Sequence, residues 1–232
     1  MCQIGDLLAR RTLTFGSRTL TSLPSLFEPT SILRQTVATP LGEMVLAATS
    51  RGVCLCEFAD LLALARELAD LERRIGTPIL EGDNQRLSPH MSPHMSSHIS
   101  LLERELAGYF AGTLRSFTVS LDTPGPPFHR AVWERLLRIP YGQTTSYNEI
   151  ARALDNLNSC RAVGQANGAN RLAIVIPCHR VIEKTGKLGG YGGGLHRKRW
   201  LLDHESLHAG DSTSPGRASA TGSLFAAVGQ IL

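Results

Sequence analysis

From Arg34 onward, "RQTVATPLGEMVLAATSRGVCLCEFAD" consists of short β-branched or apolar runs with turn residues between them. Turns at Pro40-Leu41-Gly42 and Arg51-Gly52 divide the stretch into three β-branched or apolar runs, which predicts three strands joined by hairpins. A helical period follows. In "LLALARELADLERRIG" apolar residues recur at helical spacing with charges between them, and the pattern stops at Gly76. A second helix is predicted over "HISLLERELAGYFAG", ending at Gly112. A third is predicted over "HRAVWERLLRI", where Val132, Trp133, Leu136, Leu137 and Ile139 make one apolar face. Ser146-Tyr147-Asn148-Glu149 has the order of a capping box, so a short helix should run to about Leu154. A turn through Asp155-Asn158 and a further helix in "SCRAVGQANGAN" complete a helix-turn-helix. "LAIVI", Leu172 to Ile176, is a continuous apolar run of the length of a buried strand, and "HRKRWLLDHES" reads as a basic amphipathic helix.

These elements predict an α/β fold in the α+β sense. A small N-terminal sheet-plus-helix domain is expected over residues 34–120. A mostly helical domain with the helix-turn-helix is expected over 121–208, beyond a "TPGPPF" hinge. Residues 1–33 and 209–232 are expected as a poorly ordered extension and a tail. The first thirty residues are rich in Arg, Ser, Thr and Leu, with Asp6 and Glu28 the acidic exceptions. That composition overlaps with organellar transit peptides, but an unstructured extension explains it without targeting. "SPHMSPHMSSHIS" brings His90, His94 and His98 at four-residue steps, a spacing that would align three imidazoles on a helix. Pro89 and Pro93 interrupt such a helix, so residues 88–99 are expected as a solvated loop that binds no metal.

Composition narrows the class. The 232 residues are 42% hydrophobic and 19% charged, enough for a packed core and too few charges for a coiled coil. A net charge of +4 permits nucleic-acid partners without requiring them. Five cysteines without framework spacing fit a reducing, intracellular setting. No apolar run reaches the roughly 20 residues of a membrane-spanning helix.

Two stretches carry candidate chemistry. The first is the helix of small residues: Ala162, Gly164, Ala166, Gly168 and Ala169. Each interior glycine costs about 0.8–1 kcal/mol relative to alanine. Either tight packing on a neighbouring helix or close approach to a nucleic-acid groove would account for that, with Arg161 the one long side chain reaching in. The second is Pro177-Cys178-His179-Arg180. Pro177 cannot donate to a sheet ladder, so the strand should end there and expose Cys178 at its tip. Positive charge lowers a thiol pKa, and His179 and Arg180 are adjacent. Adjacency does not guarantee contact, because consecutive strand side chains face opposite ways, but a base could reach the sulfur through a bridging water as the chain turns. A small inert core residue is the competing reading of Cys178. The following "GKLGGYGGGL" offers a backbone that a flat ligand can approach closely, and lacks the order of a phosphate-binding loop.

"IPYGQTTSY", "RAVGQANGAN", "IPCHRVI", "GGYGGGL" and "WLLDHE", in this order and spacing, resemble the O6-alkylguanine-DNA alkyltransferases, also called methylated-DNA–protein-cysteine methyltransferases, in their Ada-like branch. The resemblance covers roughly Arg34 to Leu207. It implies a DNA repair protein that flips an O6-alkylguanine out of duplex DNA through a minor-groove helix-turn-helix. The alkyl group, mainly methyl, passes irreversibly to the protein's own cysteine in a single turnover. Cys178 would be the nucleophile. His179 would act on it through a water, with Glu205 orienting the imidazole, although pattern alone makes Glu205 a solvated carboxylate. Asn170 would brace the preceding turn, and Tyr147 would help flip the nucleotide and donate a proton. Arg161 would fill the vacated stack, on a DNA-binding helix that includes Ala162, Gly164 and Gln165. Pro177, Val181, Tyr191 and Gly192 would line the base pocket. No cofactor and no metal are implied, since Cys54 and Cys56 do not reproduce the structural zinc pattern of some members. The partner is double-stranded DNA bearing O6-alkylguanine. The protein is expected to be a monomer in the cytoplasm or nucleoid, or in the nucleus of a eukaryote. Arg171 departs from the family, standing where many members have proline. A non-catalytic DNA-binding or regulatory module and an unrelated thiol hydrolase are the competing readings.

Overall fold

The computed structural model describes residues 31–82, 93–155 and 160–210. The N-terminal extension up to residue 30, residues 88–92 of the His-rich loop, the turn at 156–159 and the tail from 211 lie outside the described residues. This segment forms β1 (Ile32–Thr39), β2 (Gly42–Thr49) and β3 (Gly52–Phe58), paired antiparallel in succession. The first strand begins two residues earlier than its polarity pattern indicates, because Ile32 is completely buried. Helix α1 (Leu64–Ile75) follows and stops at Gly76, whose left-handed φ of 80° closes the C-terminus. A short strand that the sequence pattern does not reveal, β4 (Ile79–Glu81), then lies parallel beside β1. The sheet order is β3-β2-β1-β4.

Both faces of this sheet are covered. Val45, Ala47 and Cys54 face α1, where Leu71 is fully buried. Met44, Leu46, Cys56 and Phe58 face the larger core. Cys54 and Cys56 point to opposite sides of β3 although they are two residues apart, because the pairing register shifts between Ala47 and Ala48 and leaves Cys54 as the extra residue of a bulge. Helix α2 (Pro93–Phe110) covers the second face through Met95, Ile99, Leu102 and Leu106. Here the expected loop is corrected from Pro93 onward. Pro93 opens the helix, a position where its missing N–H costs nothing, so His94 and His98 belong to helical turns.

The second half continues with α3 (Pro127–Leu136), then β5 (Thr145–Ser146) and α4 (Tyr147–Ala153), and then α5 (Cys160–Gly168). The capping box is formed: Ser146 Oγ accepts the Glu149 N–H, and the Glu149 carboxylate accepts the Ser146 N–H at 2.7 Å. Trp133 on α3 donates its indole N–H to the Ala166 carbonyl at 2.8 Å, which seats α5. After a 3₁₀ turn at Cys178–Arg180, β6 (Val181–Ile182) pairs parallel with β5, and α6 (Leu195–Ala209) closes the chain's described part. The larger core runs without a break from Phe58 and Leu102 to Trp133, Val163, Ile176 and Leu201, so the two expected halves share one interior. Among the described residues no helix is long and apolar enough to cross a membrane.

Candidate functional site

Residues 172–176 are buried as their apolar run predicts, but they do not form a strand. Only Leu172 makes a bridge, to Cys56. The backbone then coils, with Ile176 N–H donating to the Leu172 carbonyl at 2.8 Å. Asn170 explains the coil. Its Nδ2 donates to the Ile176 carbonyl at 2.9 Å and its Oδ1 accepts the Leu172 N–H at 3.0 Å, binding both ends of the loop to one side chain. Ile174 takes a left-handed φ of 71°, a conformation that costs a β-branched residue energy and persists only where its surroundings enforce it. Arg171 pairs with Asp70 of α1, so the residue found where many members have proline ties this loop to the N-terminal half.

The loop delivers Cys178 to a 3₁₀ turn, where the side chain is 6% exposed rather than standing free at a strand tip. Burial is the largest influence on the thiol. It pushes the pKa up to about 12 against a hydrogen bond with Asn170 and the charge of Lys198, while Glu57 raises it further. Of the two adjacent basic residues, Arg180 is not among the groups that lower the thiol pKa. The Arg180 guanidinium is committed elsewhere, donating to Glu205 from Nε (2.8 Å) and Nη2 (2.9 Å) and to the Ile139 carbonyl from Nη1 (2.6 Å).

Glu205 is wholly buried and gathers donors from four directions. Besides Arg180, its oxygens meet His179 Nε2 (2.8 Å), the Tyr109 hydroxyl (2.8 Å) and the Gly142 N–H (3.0 Å). Gly142 has φ of 73°, and a Cβ there would lie 2.6 Å from Ala209, so the backbone can reach the carboxylate only as glycine. Burial alone would raise the Glu205 pKa; the bonds from His179 and Arg180 overcome it and hold the group down at about 2. A carboxylate acceptor fixes the proton on His179 Nε2, which leaves Nδ1 as the basic nitrogen. That nitrogen is enclosed and has no partner among the described residues. Burial lowers the His179 pKa, so the ring is neutral and can take a proton.

Cys178 borders a cavity of about 380 Å³. Tyr147 of α4 and Gly164, Asn167 and Gly168 of α5 form one wall. Asn170 and the loop Gly190–Gly193 form another, and Glu57, Leu61, Arg66 and Glu67 come from the N-terminal half. Gly193 is pressed on Phe58, with a Cβ there 2.7 Å from the ring. Tyr147 is half-buried and its pKa is raised, by burial first and then by the thiol, so it remains a proton donor. Lys198 is fully buried and donates to the carbonyls of Val181 (2.6 Å) and Gly189 (3.2 Å). With Arg197 also buried, α6 is not the basic amphipathic helix expected.

The structure thus gathers Cys178, Tyr147, Gly164, Asn170, Tyr191 and Gly192 around one cavity, with His179 and Glu205 joined to each other inside the protein. Arg161 and Gln165 are exposed on α5, and Ala162 is partly exposed. Pro177 and Val181 do not line the cavity. Pro177 borders a separate hollow with Arg180 and Tyr141, and Val181 is sealed in the core because the chain turns at Cys178 instead of running straight. A Cβ on Gly164 would meet only the Tyr147 ring, at 4.0 Å, and one on Gly168 would meet nothing. Helix packing therefore does not require these glycines. Sequence reasoning missed Glu57, Asn167, Lys198 and Tyr109. A charge inside the otherwise apolar "VCLCEF", and an asparagine four residues after Val163 on the buried side of α5, were the available signals.

A family model described as the DNA-binding domain of 6-O-methylguanine DNA methyltransferase matches residues 127–207. The methylated-DNA–protein-cysteine methyltransferase of Mycobacterium tuberculosis is 54% identical over 105 residues, 45% of this chain and 64% of that protein. The Salmonella typhimurium protein of the same name is 51% identical over 105 residues, 45% of this chain and 61% of its own. In sequence, the chain therefore spans somewhat under two thirds of these curated relatives. The crystal structure of Mycobacterium tuberculosis O6-methylguanine methyltransferase superposes with a TM-score of 0.62 and 36% identity, covering 78% of this chain and 96% of that one. The corresponding protein in complex with DNA gives 0.60 and 35%, covering 77% and 94%.

Proposed function

The chain belongs to the O6-methylguanine-DNA methyltransferase family, and from that premise we propose that it repairs DNA by moving O6-alkyl groups from guanine to Cys178. The observation that carries this reading is a thiol on a cavity wall followed by an imidazole whose outer nitrogen is held by a buried carboxylate and whose inner nitrogen is unpartnered. This is the nucleophile, base and orienter order of an activated cysteine.

The thiol is protonated at rest, so its proton has to move as it attacks. It passes through a water to His179 Nδ1, and Glu205 stabilises the imidazolium that results. The sulfur then forms a bond to the alkyl carbon as the carbon–O6 bond breaks, leaving its electron pair on the guanine. Tyr147 gives the purine a proton, and the proton on His179 returns through solvent to restore the tyrosine. The thioether has no route back, so each molecule acts once. Nothing in the displacement needs a nucleotide or metal cofactor.

A base reaches the cavity only after leaving the duplex. The exposed Arg161 and the open faces of Gly164 and Gly168 suit a helix laid in the minor groove, with the arginine occupying the gap in the stack. On this reading the protein works inside the cell on its DNA, and as a monomer, since every group named in the reaction belongs to one chain. Mass spectrometry after incubation with an O6-methylguanine duplex tests the assignment. One methyl gained on Cys178, and none in Cys178→Ala, is the expected result; duplex binding with no adduct would refute transfer. In the same assay Arg161→Ala should lose at least about tenfold on the duplex and little on free O6-benzylguanine, since only the duplex demands extrusion. Equal losses would remove Arg161 from that role.

A further inference from the structure

Asn167 is 5% exposed, and its Oδ1 is enclosed without a hydrogen-bond partner while the residue borders the cavity. Buried polar atoms are rarely left so, because each unsatisfied acceptor costs about 1–3 kcal/mol. Glu67 Oε2 and the Tyr191 hydroxyl are in the same condition on the same cavity. Glu57 enters it from β3, also 5% exposed, and its carboxyl accepts only the Phe58 N–H, at 3.2 Å. Burial, followed by the charge of Glu67, pushes its pKa up to about 8, so at neutral pH it is an acid with an O–H to give.

We propose that Glu57 and Asn167, facing one cavity from β3 and α5, make it select O6-alkyl groups ending in a hydroxyl over apolar chains of equal length. The proposal rests on the alkyl-transfer reading above. A hydroxyl both donates and accepts, and the cavity that Cys178 borders offers one acceptor and one donor. An apolar chain in the same place strips water from Asn167 Oδ1 and from the Glu57 carboxyl and returns nothing. Sites built to pair with a substrate hydroxyl reject the analogue lacking it for this reason. A methyl group carries no chain that could present a hydroxyl or an apolar end to these groups, and it serves as the internal reference.

The test uses duplexes carrying O6-(2-hydroxyethyl)guanine and O6-propylguanine, which match in chain length, together with O6-methylguanine. Single-turnover rates of the full chain should favour hydroxyethyl over propyl. That ratio should fall about tenfold in Asn167→Leu, which keeps the side chain's shape, and in Glu57→Leu. Glu57→Gln restores a neutral donor and should retain the ratio. A wild-type ratio at or below one overturns the proposal with no variant needed, as does an unchanged ratio in either leucine variant that still accepts methyl. Absence of any Cys178 adduct from the methyl duplex is a different result, and it overturns the transfer reading along with this one.

Discussion

Two buried carboxyls, Glu57 before Cys178 in the chain and Glu205 after it, are treated oppositely by the protein. Glu205, wholly inside, receives bonds from Arg180, His179, Tyr109 and the Gly142 backbone, and its pKa sits at about 2. Glu57, on the cavity, receives one backbone N–H, and its pKa sits at about 8. Both pay desolvation. The difference is the supply of donors, which keeps one side chain an anion and the other an acid. A carboxyl saturated with protein partners has no capacity left for a substrate and can only orient its neighbours. A carboxyl with an unused O–H beside a cavity can still bind something.

The sharpest way to break this comparison is to remove the charge from each. Glu205→Gln leaves the Arg180 guanidinium buried without a counter-charge and puts amide hydrogens against it. Removing one partner of a buried pair should cost about 4 kcal/mol in denaturant unfolding. Glu57→Gln at pH 5 replaces a neutral acid by a neutral amide and should cost less than about 1 kcal/mol. A Glu205→Gln protein as stable as Glu57→Gln would mean that the donors around Glu205 contribute nothing net.

Why one of these carboxyls was legible in the sequence and the other was not follows from the same physics. Three strands, the stop at Gly76, the capping box at Ser146 and the helix bearing Arg161 each rest on local rules, and each formed. The sheet's fourth strand is three residues long, and β5 and β6 are two each, too short to show a period. Residues 172–176 have the composition of a strand, but Asn170 captures both ends of the run and coils it. That competition between a side chain and the ladder is invisible to a hydropathy pattern. Glu205 was found only through the family resemblance, since on its helix it has the look of a solvated residue. Glu57 and Asn167 belong to no recognised motif; their meaning comes from the cavity that unites β3 with α5.

Stability as a function of pH separates the two groups further. Glu57 has a folded pKa of about 8, above the ordinary 4.5. The stability it contributes as a neutral acid is complete below pH 4.5 and is lost as pH rises toward 8. Glu205 has its folded pKa below 4.5, so its contribution is present above 4.5 and lost as pH falls toward 2. Between pH 5 and 8 the difference in unfolding free energy between wild type and Glu57→Gln should therefore decline by about 3 kcal/mol, at 1.36 kcal/mol per pKa unit and some relaxation of the site. The difference between wild type and Glu205→Gln should stay flat over the same range. Guanidinium titrations at four pH values measure both, and parallel slopes would erase the distinction.

The smallest change asks whether donor number, rather than burial, sets Glu205 apart. Tyr109→Phe removes the hydroxyl bond to Glu205 Oε1 and leaves the fully buried ring in place. A hydrogen bond to a charged acceptor contributes about 1.5–3 kcal/mol, so unfolding at pH 7 should lose about 2 kcal/mol. With one donor fewer the carboxylate is held down less, its folded pKa rises from about 2 toward 4.5, and acid loss of stability should begin at a higher pH than in wild type. Glu57 has no such donor to give up, so no single hydroxyl deletion on the cavity side should move its transition near pH 8 downward. If Tyr109→Phe unfolds along the wild-type acid curve, Arg180 and His179 set the charge state of Glu205, and the contrast between the two carboxyls reduces to the presence of one guanidinium and one imidazole.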